Sequence, residues 1–359
     1  MRRAARGAIL PREMNSEFHY YAVHFLCLRS GFAPEEARRI ARSSQYVDDA
    51  SVAYVIEDGR APYRCLVTQN YVFWDEATLR EVYLPFHFLP GDPERARRER
   101  RDGRAHELAA SPDSPFSKEL LVEALRSGDP YRLGIALHAY ADGWAHQHFS
   151  GRIEEANALD PSSPLPPAGH LQALRSPDEA LGRWRDPRLL PELAEVDNRR
   201  RFLEAAKKIY RYLRVSRRLP FDDEELVLGE LEGIWARKAG DPGQAAGAAP
   251  SAAQARTAAR ARLDEFVIQF DMEPYDKREW LREAGIAVPG GDEEPFVGYD
   301  KLRWLGSRLK SGGAAPELRV GSGGRFEGSE LRRWDEAARA HLRAAKSLMK
   351  AAGIAEAQG

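Results

Sequence analysis

Three side chains able to bind a metal ion fall four residues apart: His138, Asp142 and His146, within Leu133-Gly-Ile-Ala-Leu-His-Ala-Tyr-Ala-Asp-Gly-Trp-Ala-His146. On an α-helix each step of four advances about 400°, a drift of about 40°, so the three form one stripe about 12 Å long. That length exceeds the reach of one ion and suits two, with His138 and Asp142 on one ion and His146 near the next. The carboxylate in the middle can serve either side. Two imidazoles and an acid would be costly to bury unpaired on an apolar helix, and coordination removes that cost. Gly134, Ala139, Ala141, Gly143 and Ala145 surround them and let other helices approach closely. The plainer alternative is a hydrogen-bonded polar stripe. It suits a single histidine better than this triplet.

More distant residues must complete such a site. His19, near the start of the first helix, is favoured over His24, which lies about 140° further round and reads as a core or surface residue. Asp48 shares a face with Ala37, Ile40, Ala41 and Ser44 and so points inward, where a buried acid wants a cation. Asp49 is its partner or a solvated neighbour. His87 is held in Leu84-Pro-Phe-His-Phe-Leu-Pro90, a rigid setting that suits a ligand or a packed neutral ring alike. His170 follows a Pro/Ser loop from Pro161 to Pro167, with Pro177-Asp178 soon after. His148 points off the stripe, as a surface or outer group. His106 and His341 lie in polar segments and are expected to face solvent.

The elements positioning these residues read as helices. Residues 15 to 57 carry helical spacing at Phe18, Ala22, Phe25 and Leu26, with a stop at Gly31 and a new start at Pro34-Glu35-Glu36. Residues 61 to 90 are richer in Val, Tyr, Phe and Thr, and Cys65–Thr68 and Val82–Leu84 read as short strands or extended loops. Helix resumes over 117–127, 130–149, 178–184 and 191–215, and again near 256–270, 276–285 and 330–352, broken by a Gly-rich stretch at 311–324. The expected fold is mainly α, a multi-helix bundle. A helical metal-binding domain spans 15–238, a flexible low-complexity linker 239–255, and a helical C-terminal extension 256–359 packs on the first domain as support.

Composition narrows the class. The 359 residues carry 54 Lys and Arg against 55 Asp and Glu, a formal charge of -1, which gives no overall bias toward nucleic acid or lipid. No apolar run approaches the roughly 20 residues of a membrane span. The basic start, Met1-Arg-Arg-Ala-Ala-Arg6, has no apolar core behind it, and Met14 is an alternative start. No secretory signal is therefore expected. Cys27 and Cys65 read as reduced and buried, so a cytoplasmic location is expected. The basic runs Arg95–Arg101 and Arg199–Arg201 read as solvated faces, the first bordering the pocket, and no specific nucleic-acid motif accompanies them. Asp197-Asn198 reads as a helix cap or an outer pair behind the site. No phosphate-cradling glycine loop and no persuasive nucleophilic serine or cysteine is present.

The run Leu137-His138-x3-Asp142-x2-Ala145-His146 resembles the metal-binding helix of the zinc-dependent phospholipase C superfamily. That all-helical group includes single-strand-specific nucleases and hydrolyses phosphodiesters with a trinuclear zinc site. The resemblance implies its fold and two or three zinc-type ions. It further implies His19 as N-terminal ligand, Asp48 or Asp49 as an early bridging acid, then His87, the His138–Asp142 pair, His146 and His170. The chain departs from the superfamily in lacking the leading tryptophan, in the short gap before His146, and in lacking a late His-x3-Glu, for which Asp178 is the substitute acid. The pattern from Phe18-His-Tyr-Tyr21 to Pro177-Asp178 is also similar to a bacterial family of unknown function. The expected activity is metal-dependent hydrolysis of a phosphoester, phosphodiester or phospholipid-like, with a small-molecule or phosphoester substrate and with Asp48 or Asp142 as bridge and general base. The rivals are a non-haem di-iron or manganese oxidative enzyme, which Asp142-x3-His146 also fits, and a non-catalytic helical protein with a structural metal.

Overall fold

The computed structural model describes residues 16–59, 61–70, 76–236, 252–287 and 317–354, and these are mainly helical. A π-helical turn, Glu17–Ala22, runs into α1 (Val23–Arg29), followed by α2 (Pro34–Asp49), β1 (Ala53–Ile56) and β2 (Tyr63–Arg64). Next come α3 (Glu76–Thr78), a second π-helical turn (Leu79–Tyr83), α4 (Leu84–Phe86), α5 (Pro93–Glu99), α6 (Pro115–Ser127) and α7 (Pro130–Ala145). A two-stranded ribbon, β3 (Arg183–Arg185) and β4 (Glu195–Asp197), leads into α8 (Asn198–Ser216), α9 (Glu224–Ala236), α10 (Ala252–Phe270) and α11 (Glu279–Glu283). β5 (Glu317–Val320) and the long α12 (Glu330–Ala351) complete the described chain. No helix of the described residues is long and apolar enough to cross a membrane.

Helix α7 is the centre because its sequence leaves it no polar face. From Leu133 to Ala145 every residue is buried, as a helix that is apolar all round requires. Its start is fixed by Pro130 and by the Asp129 carboxylate, which accepts from the amides of Tyr131 at 2.8 Å and Arg132 at 3.3 Å. Helix α2 lies against it, starting at Pro34 with Glu35 and Glu36 in its first turn. The two touch at Gly134, where a Cβ would stand 2.2 Å from the Ile40 carbonyl oxygen and 2.5 Å from the Ser43 Cβ. Gly134→Ala would gain about 1 kcal/mol in helix propensity. Overpacking costs about 1–3 kcal/mol, and a main-chain obstacle cannot rotate away. A net loss of up to about 2 kcal/mol is expected in urea unfolding, and a raised midpoint would contradict this contact.

The C-terminal elements are built into the same body. β5 pairs in parallel with β1, with Tyr54 opposite Leu318, and β2 pairs antiparallel on the other edge. Helix α12 packs on α7, α6 and α4. A second apolar cluster joins Tyr46, Val47 and Ile135 to Trp280, Phe326 and Trp334. Both cysteines are buried and unpaired.

Several local expectations are corrected. Val82–Leu84 is helical, because it joins the π-helical turn to α4. Cys65–Thr68 is irregular chain after β2, in line with the loop alternative. Residues 178–184 and 191–197 form turns and the β3–β4 ribbon, and helix begins only at Asn198, where Asp197 caps it. The 311–324 stretch contains β5. Of the expected linker 239–255, residues 239–251 lie outside the described residues, as does Met14, and 252–255 already belong to α10.

Candidate metal centre

Helix α7 ends one residue before the third member of its stripe. His146 is the C-terminal cap, with φ -92° and ψ 23°, and its amide reaches the Asp142 carbonyl at 2.8 Å. The chain then turns sharply through His148, at φ 65°. His138 and Asp142 therefore share a helix face, while His146 swings toward another set of side chains.

Three groups of ligating atoms converge: His19 with His138 and Asp142, Asp48 with His87 and His138, and His146 with His170 and Asp178. His19 arrives on the first π-helical turn, a local widening common at functional sites. Its Nε2 lies 3.2 Å from Asp142 Oδ1, and its ring stacks on His138 at 4.0 Å. The other Asp142 oxygen, Oδ2, faces His87 Nδ1 at 3.1 Å, His138 Nε2 at 3.3 Å and His146 Nδ1 at 3.7 Å. Asp48 Oδ1 stands further off, 3.7 Å from His138 Nε2 and 3.9 Å from His87 Nδ1. Asp178 Oδ1 meets His146 Nε2 at 3.1 Å, and its Oδ2 meets His170 Nε2 at 3.6 Å.

Hydrogen bonds to main-chain carbonyls fix which nitrogen of three histidines carries the proton. A carbonyl oxygen only accepts, so the nitrogen facing it donates. His87 Nε2–H donates to the Thr68 carbonyl at 2.8 Å, His146 Nδ1–H to the His87 carbonyl at 2.9 Å, and His170 Nδ1–H to the Leu174 carbonyl at 3.0 Å. In each neutral ring the other nitrogen is then a bare lone pair, the arrangement of a ligand oriented from behind. The lone pairs of His146 and His170 point at carboxylate oxygens, which are also acceptors; that of His87 faces both Asp142 Oδ2 at 3.1 Å and His138 Nε2 at 3.2 Å, a nitrogen that can donate to it. A cation or a second proton between nitrogen and carboxylate makes the carboxylate contacts favourable.

Burial decides where a proton can stand in. It pushes His138 down to about 3, with neighbouring His19 adding to the effect, and it lowers His170. Burial also opposes charge on His146, but Asp142 and Asp178 outweigh it and push the ring up to about 9. Burial alone would raise Asp142, yet His138 and His146 hold it well below the ordinary carboxylate range. Asp48 is pushed the other way, by burial and then by the Asp142 and Asp49 charges.

Most of the expected ligands meet here: His19, Asp48, His87, His138, Asp142, His146 and His170. Asp49 stands outside the three groups, and its Oδ2 accepts from the Tyr275 hydroxyl at 2.5 Å. Asp178, named in the sequence only as a substitute acid, anchors the third group. Its loop is held by Asn198, whose side-chain amide donates to the carbonyls of Ser176 at 2.5 Å and Glu179 at 2.8 Å. Asp197-Asn198 is thus both a cap and a brace. Phe88, which stacks on His146 at 4.6 Å, has no metal-ligand signature and was not legible as part of the site.

The remaining histidines are placed differently. His24 is buried beside Tyr20 and is pushed down to about 4, by burial and then by Arg38. His148 is buried and turned to Glu99 at 3.0 Å, so it is not a surface residue. His341 is buried too, with Nε2 2.9 Å from the Pro85 carbonyl, because the polar-looking α12 packs its His341 face inward. His106 pairs with Asp102 at 3.0 Å. The first basic run is not uniformly solvated: Arg97 and Arg98 are exposed, but Arg100 is buried and donates to the His148 and Ala156 carbonyls.

No curated protein and no solved structure matches the chain. One family model does, over residues 14–349, a span that takes in all eight converging side chains and most of the C-terminal helix. With nearly the whole chain matched, the protein belongs to that family of unknown function, DUF6765.

Proposed function

We propose that the chain is a metal-dependent hydrolase of phosphoesters, working through two or three zinc-type ions. The observation that carries this reading is the set of imidazole lone pairs, fixed from behind by carbonyls, turned on the buried Asp142 and the half-buried Asp48 and Asp178. Five histidines among eight ligands suit zinc better than the carboxylate-rich di-iron bundles. The likeness of the His138–His146 run to the zinc-dependent phospholipase C superfamily adds to the reading.

Ions held there would lower the pKa of a water molecule and offset charge on a phosphoryl oxygen. The chain's own residues divide the remaining work. Asp142, with both oxygens against histidines, holds the first two groups together. Asp48, whose Oδ1 stands further off, is the carboxylate free to take a proton. His170 and Asp178 have the most exposed side chains of the ligand set, at 19% and 14%, against 0% for His138. Substrate is expected to approach from their side, since a catalytic site keeps an open position where a structural one is closed.

Hydrolysis of a panel of phosphodiesters, phosphomonoesters and phospholipids by zinc-loaded chain tests the reading. Turnover of one class is expected, and inactivity on all three would overturn it. Asp48→Asn is expected to slow that turnover by about 10²- to 10⁴-fold, the range of general acid–base groups. Full activity would remove Asp48 from the chemistry.

A further inference from the structure

We propose that His341, on the C-terminal helix α12, is a positioning residue for the metal centre, fixing the short segment that aims His87. This rests on the metal-centre reading above.

His341 Nε2 lies 2.9 Å from the Pro85 carbonyl oxygen and must donate to it. That carbonyl belongs to α4, only three residues long, and a helix's last carbonyls have no partner within the helix. Pro85 has no amide hydrogen, so the segment can be tied there only through its carbonyl. The Phe86 ring lies against the His341 ring, 5.3 Å between centroids. One residue further on, His87 sends its ring into the second group, with Nδ1 3.1 Å from Asp142 of the first, and offers its carbonyl to His146 of the third. A displacement of residues 85–87 would therefore reach all three groups.

The other buried polar residues of α12 are used in the same way. Trp334 Nε1–H donates to the Ser43 carbonyl at 3.1 Å, on the helix that carries Asp48. The Asp335 carboxylate accepts from the Leu66 amide, two residues before the carbonyl that orients His87. A helix that merely covered a core would need only its apolar face. This one turns three buried polar side chains on backbone of the segments that carry or orient His87 and Asp48.

Cobalt(II) binding to the full chain separates positioning from bulk stability, because the visible spectrum of the bound ion reports the geometry of its ligands. His341→Leu keeps bulk and deletes the donor, and His341→Ala provides a second deletion should the first not fold. His341→Gln keeps a donor. Met349→Ala, two turns along the same helix, removes core packing with no hydrogen bond to a ligand segment. A shifted spectrum and affinity weakened about 10- to 100-fold, the cost typical of losing an outer partner, are expected for the donor deletions. His341→Gln should recover most of the loss, and Met349→Ala should keep the wild-type spectrum despite its lower melting temperature. A wild-type spectrum and affinity in the deletion variants, or an equal shift in Met349→Ala, would overturn the inference. A wild-type chain that took up no cobalt would instead remove the metal reading, and this inference with it.

Discussion

Asp142→Ala is expected to abolish metal uptake by the first two groups and to cut hydrolysis by more than about 100-fold, the upper end of what loss of an outer partner alone costs a metal site. The reason is geometric. One carboxylate faces His19 through Oδ1 and His87, His138 and His146 through Oδ2. Its removal leaves these rings around a void with no anion to balance a cation. The same change should destabilise the metal-free chain, since breaking a buried charge pair costs about 3–5 kcal/mol. Asp142→Asn separates the two effects: it keeps the volume and much of the packing but not the charge. Metal content should fall in both variants, and unfolding should shift more in Asp142→Ala. Full metal content in either variant would remove Asp142 from the centre.

Chelation is expected to lower the melting temperature by on the order of 10 °C or more. A ligand present at 1,000 times its dissociation constant stabilises the folded state by about 4 kcal/mol per site, and 1 kcal/mol corresponds to about 2–4 °C in domains of 150–250 residues. Without ions, the His87 lone pair faces the Asp142 carboxylate at 3.1 Å, whereas His146, pushed up to about 9, holds a proton against Asp178. Zinc should restore the melting temperature and magnesium should not, because nitrogen-rich ligand sets favour zinc and magnesium prefers oxygen. Coincident melting of chelated and zinc-loaded chain would contradict this.

The parts of the site carried by side-chain type and helical spacing were legible in the sequence. His138 and Asp142 follow from the period of α7, Asp48 from the inward face of α2, and His87 and His170 from rigid or Pro-bounded settings. What was hidden depends on backbone. The break after Ala145 that carries His146 to a different group has no composition signal beyond a run of polar residues. The two π-helical turns each add a residue per turn, which periodicity cannot register. The atoms that fix the histidine tautomers are carbonyls of Thr68, His87 and Leu174, and every residue has a carbonyl. His341 read as solvent-facing because its segment is polar, yet it is buried with Trp334 and Asp335 against the backbone of distant segments. Short strands such as β5 owe their pairing to β1 rather than to their own pattern.

Elemental analysis of the chain as purified, without added metal, tests the multinuclear centre most directly. Zinc or a similar divalent ion at two to three equivalents per chain is expected, up to one for each converging group, with the content of His138→Ala lower by at least one equivalent. A native chain with no stoichiometric metal, or a His138→Ala chain with undiminished content, would contradict the centre described here.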